Sequence, residues 1–349
     1  MSAQPERISP ASLPAEFDAA IYRRRHAELR GLGDAELLQH FRGAGTQQGH
    51  NASSISARAD FLALISPAWS VLEIGPFANP LMRGGNVRYF DVLSTDELRD
   101  RARRVGFNPQ NCPDIDFVSP NGDLDVVAQQ FDIVTSCHSV EHQPDLIRHL
   151  QSVSRVLSND GMYFLVVPDK RYCFDHFLAE SNLAEVLAAH LCEARVHSAQ
   201  NVIEHLALTT HNDPLRHWAG DHGAPAYRAN PDLLRGAIES FAGSAGRYID
   251  VHAWKFTPAS FAELLRALFD LQLIALKLLR VYPTAPGSCE FFAILQNTAQ
   301  HVGVLRGGAP ADFDAQQYLL ANPDVAAAGV DALQHYCSFG RREGRKLKA

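Results

Sequence analysis

Two acids, Glu73 and Asp91, stand eighteen residues apart, each closing a short apolar run. The first run reads VLEIGPFANP over residues 71–80, so Glu73 is followed by Gly75 and then by a turn built on Pro76 and Pro80. A glycine at the end of a strand lets a ligand approach the backbone closely. A carboxylate beside it attracts a cationic group. An acid roughly 20 residues further on is where an open α/β sheet takes ribose hydroxyls. A pyrophosphate, in contrast, needs bare backbone amides at a helix start. Phe77 and Asn79 occupy the positions where further glycines would have supplied them. The residue types therefore favour a ribose-bearing, positively charged ligand without phosphate.

A second group of residues suits proton transfer. His138 and His142 follow the apolar run FDIVTSC, and the stretch THNDPLRHWAGDHG, residues 210–223, contains His211, Asp213, His217, Asp221 and His222. Imidazole with a carboxylate to orient it makes a general base. His142, His217 and His222, with Asp221 as orienting partner, are the candidate catalytic residues. Helix onset near Glu141 leaves His138 in the loop, on the ligand side, and turns His142 toward an acceptor. A loop-orienting or helix-capping role for His142 stands beside that reading. The side chains of residues 210–223 could also hold a divalent metal, but their spacing matches no named ligand pattern, and no metal is assigned. Asp169, Lys170, Arg171, Tyr172 and Asp175 leave another apolar run and could hydrogen-bond a polyhydroxylated acceptor. Trp218 is a candidate stacking platform.

The elements that position these residues alternate. WSVLEIG, NVRYFDV, DIDFVSP, FDIVTSC and MYFLVVPD read as strands bounded by turn residues. Residues 143–157 place Leu146, Ile147, Leu150, Val153, Val156 and Leu157 on one helical face, and a turn at Asn159-Asp160-Gly161 leads onward. Thr257 with Pro258 starts another helix. LQLIALKLLRV and CEFFAILQN close the pattern as strands. The class is α/β, a doubly wound Rossmann-like sheet. Residues 170–250 interrupt it as a helical insertion over the strand ends.

The 349 residues carry a net charge of -7, with 46% hydrophobic and 20% charged side chains. That is a soluble globular composition, without an electrostatic reason to bind nucleic acid or an anionic membrane. No signal peptide or membrane span is expected. Six scattered cysteines without a Cys-x-x-Cys pair suit a reducing cytoplasm.

A repeat brackets the chain. Phe17-Asp18, Tyr22, Gly33, Leu38-Gln39-His40-Phe41, Gly45 and Gly49 recur as Phe313-Asp314, Tyr318, Gly329, Leu333-Gln334-His335-Tyr336, Gly340 and Gly344. Each copy reads as two short helices with a Gly-bounded tail. The expected domains are an N-terminal helical module over 1–58, a central domain over 59–300 and a C-terminal helical module over 309–349. The modules either pack as structural brackets or dock a partner. The tail RREGRKLKA reads as a solvated end.

Taken in order, Glu73-Ile74-Gly75, Asp91, Asn121-Gly122-Asp123-Leu124 and FDIVTSCHSVEHQPDLIRHLQSVSRVLSNDGMYFLVVPD resemble the class I S-adenosylmethionine-dependent methyltransferases. The first motif keeps only the acid and the first glycine of that family's pattern. The C-terminal repeat resembles a small module appended to bacterial surface-glycan and secreted proteins. The resemblance implies S-adenosylmethionine as cofactor and S-adenosylhomocysteine as product. It implies that Glu73 and Gly75 hold the methionine part and Asp91 the ribose, with Pro76 and Phe77 also on the cofactor. Asp123 and Leu124 would hold the adenine, with Cys137 and His138 also on the cofactor. The acceptor it suggests is a sugar or glycan hydroxyl. A phenol or other natural product, a non-catalytic scaffold and a nicotinamide oxidoreductase are the rival readings. A homodimer is left open.

Overall fold

The computed structural model describes residues 9–46, 48–298, 302, 313–328, 330–336, 340 and 343–348. Gly329, Cys337 and the side chain of Gln334 lie outside them. The apolar runs form seven strands: β1 Val71–Ile74, β2 Val87–Asp91, β3 Phe117–Val118, β4 Phe131–Cys137, β5 Leu157–Pro168, β6 Leu276–Tyr282 and β7 Glu290–Asn297. They join in one sheet ordered β3-β2-β1-β4-β5-β7-β6. The first five run parallel, and β7 is antiparallel to both β5 and β6. This is a Rossmann-like sheet, whose order reverses between β1 and β4.

Helices cover both faces, which is why β4 and β5 read as nearly continuous apolar runs. On one face, Leu146–Val156 and Pro258–Asp270 bury Leu150, Val153, Phe261 and Leu265. On the other, Phe61 of Arg58–Leu62 stacks on Phe292 at 4.9 Å and leans on Phe164 at 5.1 Å. Asp145 caps the first helix and Thr257 the second, each through its side-chain oxygen. The register pairs Ile74 with both Phe90 and Ser136, so Gly75, Asp91 and Cys137 emerge at one edge of the sheet. In an open α/β sheet that edge, at the reversal of strand order, is the ligand crevice.

Three local expectations change. The strand read in DIDFVSP shortens to two residues. The Asn159-Asp160-Gly161 turn is absorbed into the irregular start of β5, where the pairing jumps from Phe131 to Ile133 and Asp160 takes φ 61°. The helix read from 143 starts at Leu146, and Val140–His142 forms a separate 3-10 turn.

The insertion between β5 and β6 contains the helices Leu183–Leu191, Ala199–Ile203, Pro214–Trp218 and Asp232–Ser244. The two terminal segments make matching contacts. Tyr22 Oη meets His40 Nδ1 at 2.9 Å, and Tyr318 Oη meets His335 Nδ1 at 2.9 Å. Tyr22 packs edge-on to Phe41 as Tyr318 does to Tyr336. A Cβ at Gly45 or Gly340 would collide with the tyrosine hydroxyl of its own segment, so a larger residue there would have to displace that tyrosine. The C-terminal tail is tied down in part, since Arg345 pairs with Asp324. The N-terminal segment reaches the sheet edge, where Tyr282 Oη donates to the Pro14 carbonyl at 2.9 Å. Tyr22 Oη also meets His50 Nδ1 at 2.8 Å. Tyr22→Phe should therefore lower unfolding free energy by about 1 kcal/mol, read as a shift of the urea midpoint with an unchanged slope.

Candidate functional site

Gly75 ends β1 with φ 68° and donates its N–H to the Phe90 carbonyl at 2.9 Å. A Cβ placed there would meet only Ser139 Oγ, at 3.9 Å, and otherwise open space. Glu73 is buried at 2% exposure and accepts from the Leu81 and Met82 backbone N–H groups at 2.6 and 3.1 Å. It thereby folds residues 76–82 back over the strand end. Burial outweighs those hydrogen bonds and pushes its carboxyl up to about 7. Asp91 is buried at the end of β2, accepts from Leu93 N–H at 2.9 Å, and is likewise raised by burial.

Other expected cofactor contacts are placed differently. Phe77 turns its ring away to Phe107, 5.5 Å between centroids, beneath the Arg101 guanidinium, so only its backbone lies along the loop. Leu124 is a core residue, which leaves its backbone alone for recognition. Asp123 faces Arg148 and Arg195 at 3.5 and 3.4 Å. Burial raises the Cys137 thiol far above its ordinary value, so it stays protonated. His138 adopts φ 48°, and its Nε2 lies 2.8 Å from Glu290 Oε1. Burial would raise the Glu290 carboxyl, but Arg58 and His138 outweigh it and hold the group down at about 2.

The turn after β4 carries a cluster only half visible in the sequence. Glu141 is fully buried, and neither carboxylate oxygen has a hydrogen-bond partner. Three imidazoles face its Oε1: His252 Nε2 at 3.8 Å, His142 Nε2 at 3.9 Å and His138 Nδ1 at 4.0 Å. The other nitrogen of each is backed by a carboxylate. His252 Nδ1 meets Asp175 Oδ2 at 2.6 Å, His142 Nδ1 lies 3.0 Å from Asp250 Oδ1, and His138 Nε2 meets Glu290. The His142–Asp250 pair has the distance of an ion pair without the alignment of a hydrogen bond. Burial would lower the His142 pKa, but Asp250 and Glu141 raise it overall.

His217 and His222 do not join this cluster. They belong to a stack with His176 and His211 in which His176 and His222 lie 3.8 Å apart at 10°. His217 is buried with both nitrogens engaged, Nδ1 by His222 and Nε2 by the His211 carbonyl. Asp221 orients no imidazole with its side chain, which pairs with Arg216 and accepts from Gly223 N–H. Asp169 is buried with its oxygens taken by Arg171 and Thr284, and Lys170 Nζ is held by the His176 carbonyl. These three charges brace the loop after β5 rather than present themselves to an acceptor. Trp218 is no open platform either. Tyr172 stacks on it at 4.0 Å, the Gly49 backbone abuts its ring, and Nε1 donates to the Ser288 carbonyl. It clamps the insertion to the N-terminal segment.

The residues that sequence reasoning passed over are Glu141, Asp250 and His252. Glu141 had a local signal, since it adjoins His142. Asp250 and His252 had none, because the fold returns them from the far end of the insertion.

Residues 74–165 match the family model described as a methyltransferase domain. The chain carries a methyltransferase domain. S-adenosylmethionine is the cofactor that this match implies, and the residues at the crevice fit that group: a buried acid, open space above Gly75 and a second acid at the neighbouring strand end. No curated protein matches the chain. Among solved structures, a DhpI complex with S-adenosylhomocysteine is 16% identical, with 81% of this chain and 96% of that one covered and a TM-score of 0.36. The CcbJ methyltransferase of Streptomyces caelestis is 13% identical over 69% of this chain and 94% of its own, with a TM-score of 0.36. For an S-adenosylmethionine-dependent methyltransferase of Clostridium acetobutylicum the figures are 18% identity, 32% and 47% coverage and a TM-score of 0.23, so the match spans about half of that chain. Among the described residues, no helix is long and apolar enough to cross a membrane.

Proposed function

We propose that the chain methylates a hydroxyl oxygen of a sugar or glycan precursor. Bound S-adenosylmethionine supplies a methyl group already activated on a sulfonium. The protein holds it in line with the acceptor. Glu73 and Gly75 take the methionine end, Asp91 the ribose, and the Asp123–Leu124 backbone the adenine. The methyl–sulfur bond breaks with its electrons left on sulfur, the methyl–oxygen bond forms, and the hydroxyl proton is lost at the Glu141–His142–His252 cluster. One observation carries this reading. Ser139, next to His138 and two residues before Glu141, comes within 3.9 Å of the place a Cβ would take at Gly75, so the cofactor crevice and the polar cluster meet at this turn. The many imidazoles and carboxylates there support a polar, hydroxylated acceptor. The terminal repeats support a docking role in glycan assembly in the cytoplasm.

Incubation with S-adenosylmethionine and a panel of nucleotide sugars and glycan fragments should add one methyl to an acceptor, read by mass spectrometry. A gain on phenols alone would move the acceptor to natural products. No gain on any acceptor, with S-adenosylhomocysteine still bound, would leave a scaffold.

The burial of Glu73 gives the cofactor step a pH dependence. Its pKa rises from 4.5 to about 7 on folding. In the free protein its stabilising contribution is full below 4.5 and is lost as pH rises through about 7. A cationic methionine end pairs only with the ionised acid, so binding favours deprotonation. Affinity for S-adenosylhomocysteine, measured by calorimetry, should rise with pH by up to about tenfold per unit below that pKa. Glu73→Gln should flatten the dependence. A wild-type profile already flat between pH 5.5 and 8 (roughly the window set by a raised carboxyl) would remove Glu73 from the site.

A further inference from the structure

We propose that Glu141, His142 and His252 bind one divalent first-row transition-metal ion. Their ligand atoms, Glu141 Oε1, His142 Nε2 and His252 Nε2, all lie within 4.8 Å of one another. The two nitrogen-to-oxygen gaps, 3.9 and 3.8 Å, are too long for hydrogen bonds and about one ion wide. With metal–nitrogen and metal–oxygen distances of about 2.1 Å, neighbouring ligands of a tetrahedral ion stand about 3.4 Å apart. A contraction of about 0.4–0.5 Å therefore closes the two nitrogen-to-oxygen gaps. The two rings meet at 85°, which allows one ion to lie in both ring planes. In the His176–His222 stack the rings are nearly parallel at 3.8 Å, and no ion can lie in both planes.

Four further observations converge on the same point. Glu141 has both oxygens buried and without a hydrogen-bond partner, a costly arrangement unless something else satisfies them. When His252 Nδ1 donates to Asp175 Oδ2, 2.6 Å away, Nε2 of the neutral ring turns its lone pair toward Glu141, a contact that a cation between them makes favourable. A carboxylate behind each imidazole, Asp175 for His252 and Asp250 for His142, is the usual outer support of a metal-bound histidine. With the imidazoles neutral, as metal ligands are, the charges of Glu141, Asp175 and Asp250 are met, among the described residues, by one guanidinium, that of Arg101 on Asp250, which leaves two negative charges for a divalent ion to neutralise.

The ligands are also fixed before any ion arrives. The Glu141 carbonyl accepts from Ala253 and Trp254 N–H at 2.8 and 3.1 Å, and Trp254 Nε1 donates to the Gln143 carbonyl at 2.6 Å. The segment carrying His252 is thus clamped to the turn carrying the other two ligands. Imidazole and carboxylate suit zinc, manganese or iron better than magnesium or calcium. His142, 24% exposed where His252 is 4% and Glu141 fully buried, marks the side from which the ion is reached.

The ion's role toward the acceptor rests on the methyl-transfer reading above. Three protein ligands leave a position for an acceptor hydroxyl, whose pKa the ion lowers so that its proton passes to water as the methyl arrives.

The full-length protein, stripped with a chelator, is titrated with Co2+ and followed by calorimetry and by the visible absorption of tetrahedral cobalt. One equivalent should bind, with the absorption of a nitrogen- and oxygen-ligated ion. Glu141→Gln and His252→Ala should each weaken binding by at least about tenfold, in the range of a lost ligand or support. His222→Ala, in the other histidine group, should bind as the wild type does. Failure of the wild type to bind, or loss in His222→Ala with retention in His252→Ala, would overturn the site, and the wild-type arm does not depend on any variant folding. Metal-free protein that methylates at full rate would end the ion's catalytic role. Cobalt binding without methylation of any acceptor would instead fault the methyl-transfer reading while the site stood.

Discussion

His142→Ala should cut turnover at saturating S-adenosylmethionine by about 10²–10⁴-fold, the range for a group that assists proton transfer or holds one that does. Affinity for S-adenosylhomocysteine should stay within about twofold, because the cluster acts on the acceptor hydroxyl and only as the methyl is transferred. Glu141→Gln should fall in the same range, since it removes the charge that His138, His142 and His252 all face at 3.8 to 4.0 Å. Asp250→Asn should be milder. It leaves His142 in place but takes away the carboxylate 3.0 Å from its Nδ1. His222→Ala is the contrast, because its Nδ1 contacts His217 within the separate stack. Single-turnover rates with a methylatable acceptor decide the matter. Equal losses in His142→Ala and His222→Ala would mean that the two histidine groups act as one site, against the geometry. A full rate in His142→Ala would return the residue to loop orientation.

These contrasts also show what the sequence made legible and what it did not. The strand ends were readable because their signals are local. An apolar run, an acid and a glycine put Glu73 and Gly75 at the rim, and the spacing put Asp91 beside them. His142 was readable for the same reason. Its partners were not, because Asp250 and His252 lie more than a hundred residues on, and no periodicity records that the Glu141 carbonyl binds Ala253 and Trp254. Trp218 departs from its expected role for a related cause. The availability of its ring depends on Gly49, which reaches it from the opposite end of the chain. The charged trio after β5 failed on burial. Asp169 is fully enclosed, so its charge goes to Arg171 and cannot be shared with a ligand. The terminal segments that read as a repeat share one set of short-range contacts, a tyrosine on a histidine and a glycine against the tyrosine hydroxyl, at spacings that differ by one residue.

Gly75→Val should abolish cofactor binding at working concentrations, an affinity loss of at least about 100-fold, or about 2.7 kcal/mol. Two effects combine. The backbone at φ 68° is left-handed, a conformation that costs an L-residue about 1–2 kcal/mol and a β-branched one the most. The new side chain also enters the open space beside Ser139, where the methionine end of the cofactor is proposed to lie. Strain alone would lower stability without touching recognition, so the two must be separated. Gly106 provides the comparison. It has φ 83°, nothing within 4 Å of the place a Cβ would take, and a position at the far end of the helix Thr95–Arg104. Gly106→Val should lose a similar 1–2 kcal/mol of unfolding free energy, about the cost of one left-handed residue, and bind S-adenosylhomocysteine normally. Calorimetry and urea unfolding on both variants give the four numbers required. If Gly75→Val binds like Gly106→Val, the crevice at the end of β1 is not the cofactor site. If it alone loses affinity at matched stability, the space above Gly75 belongs to the ligand.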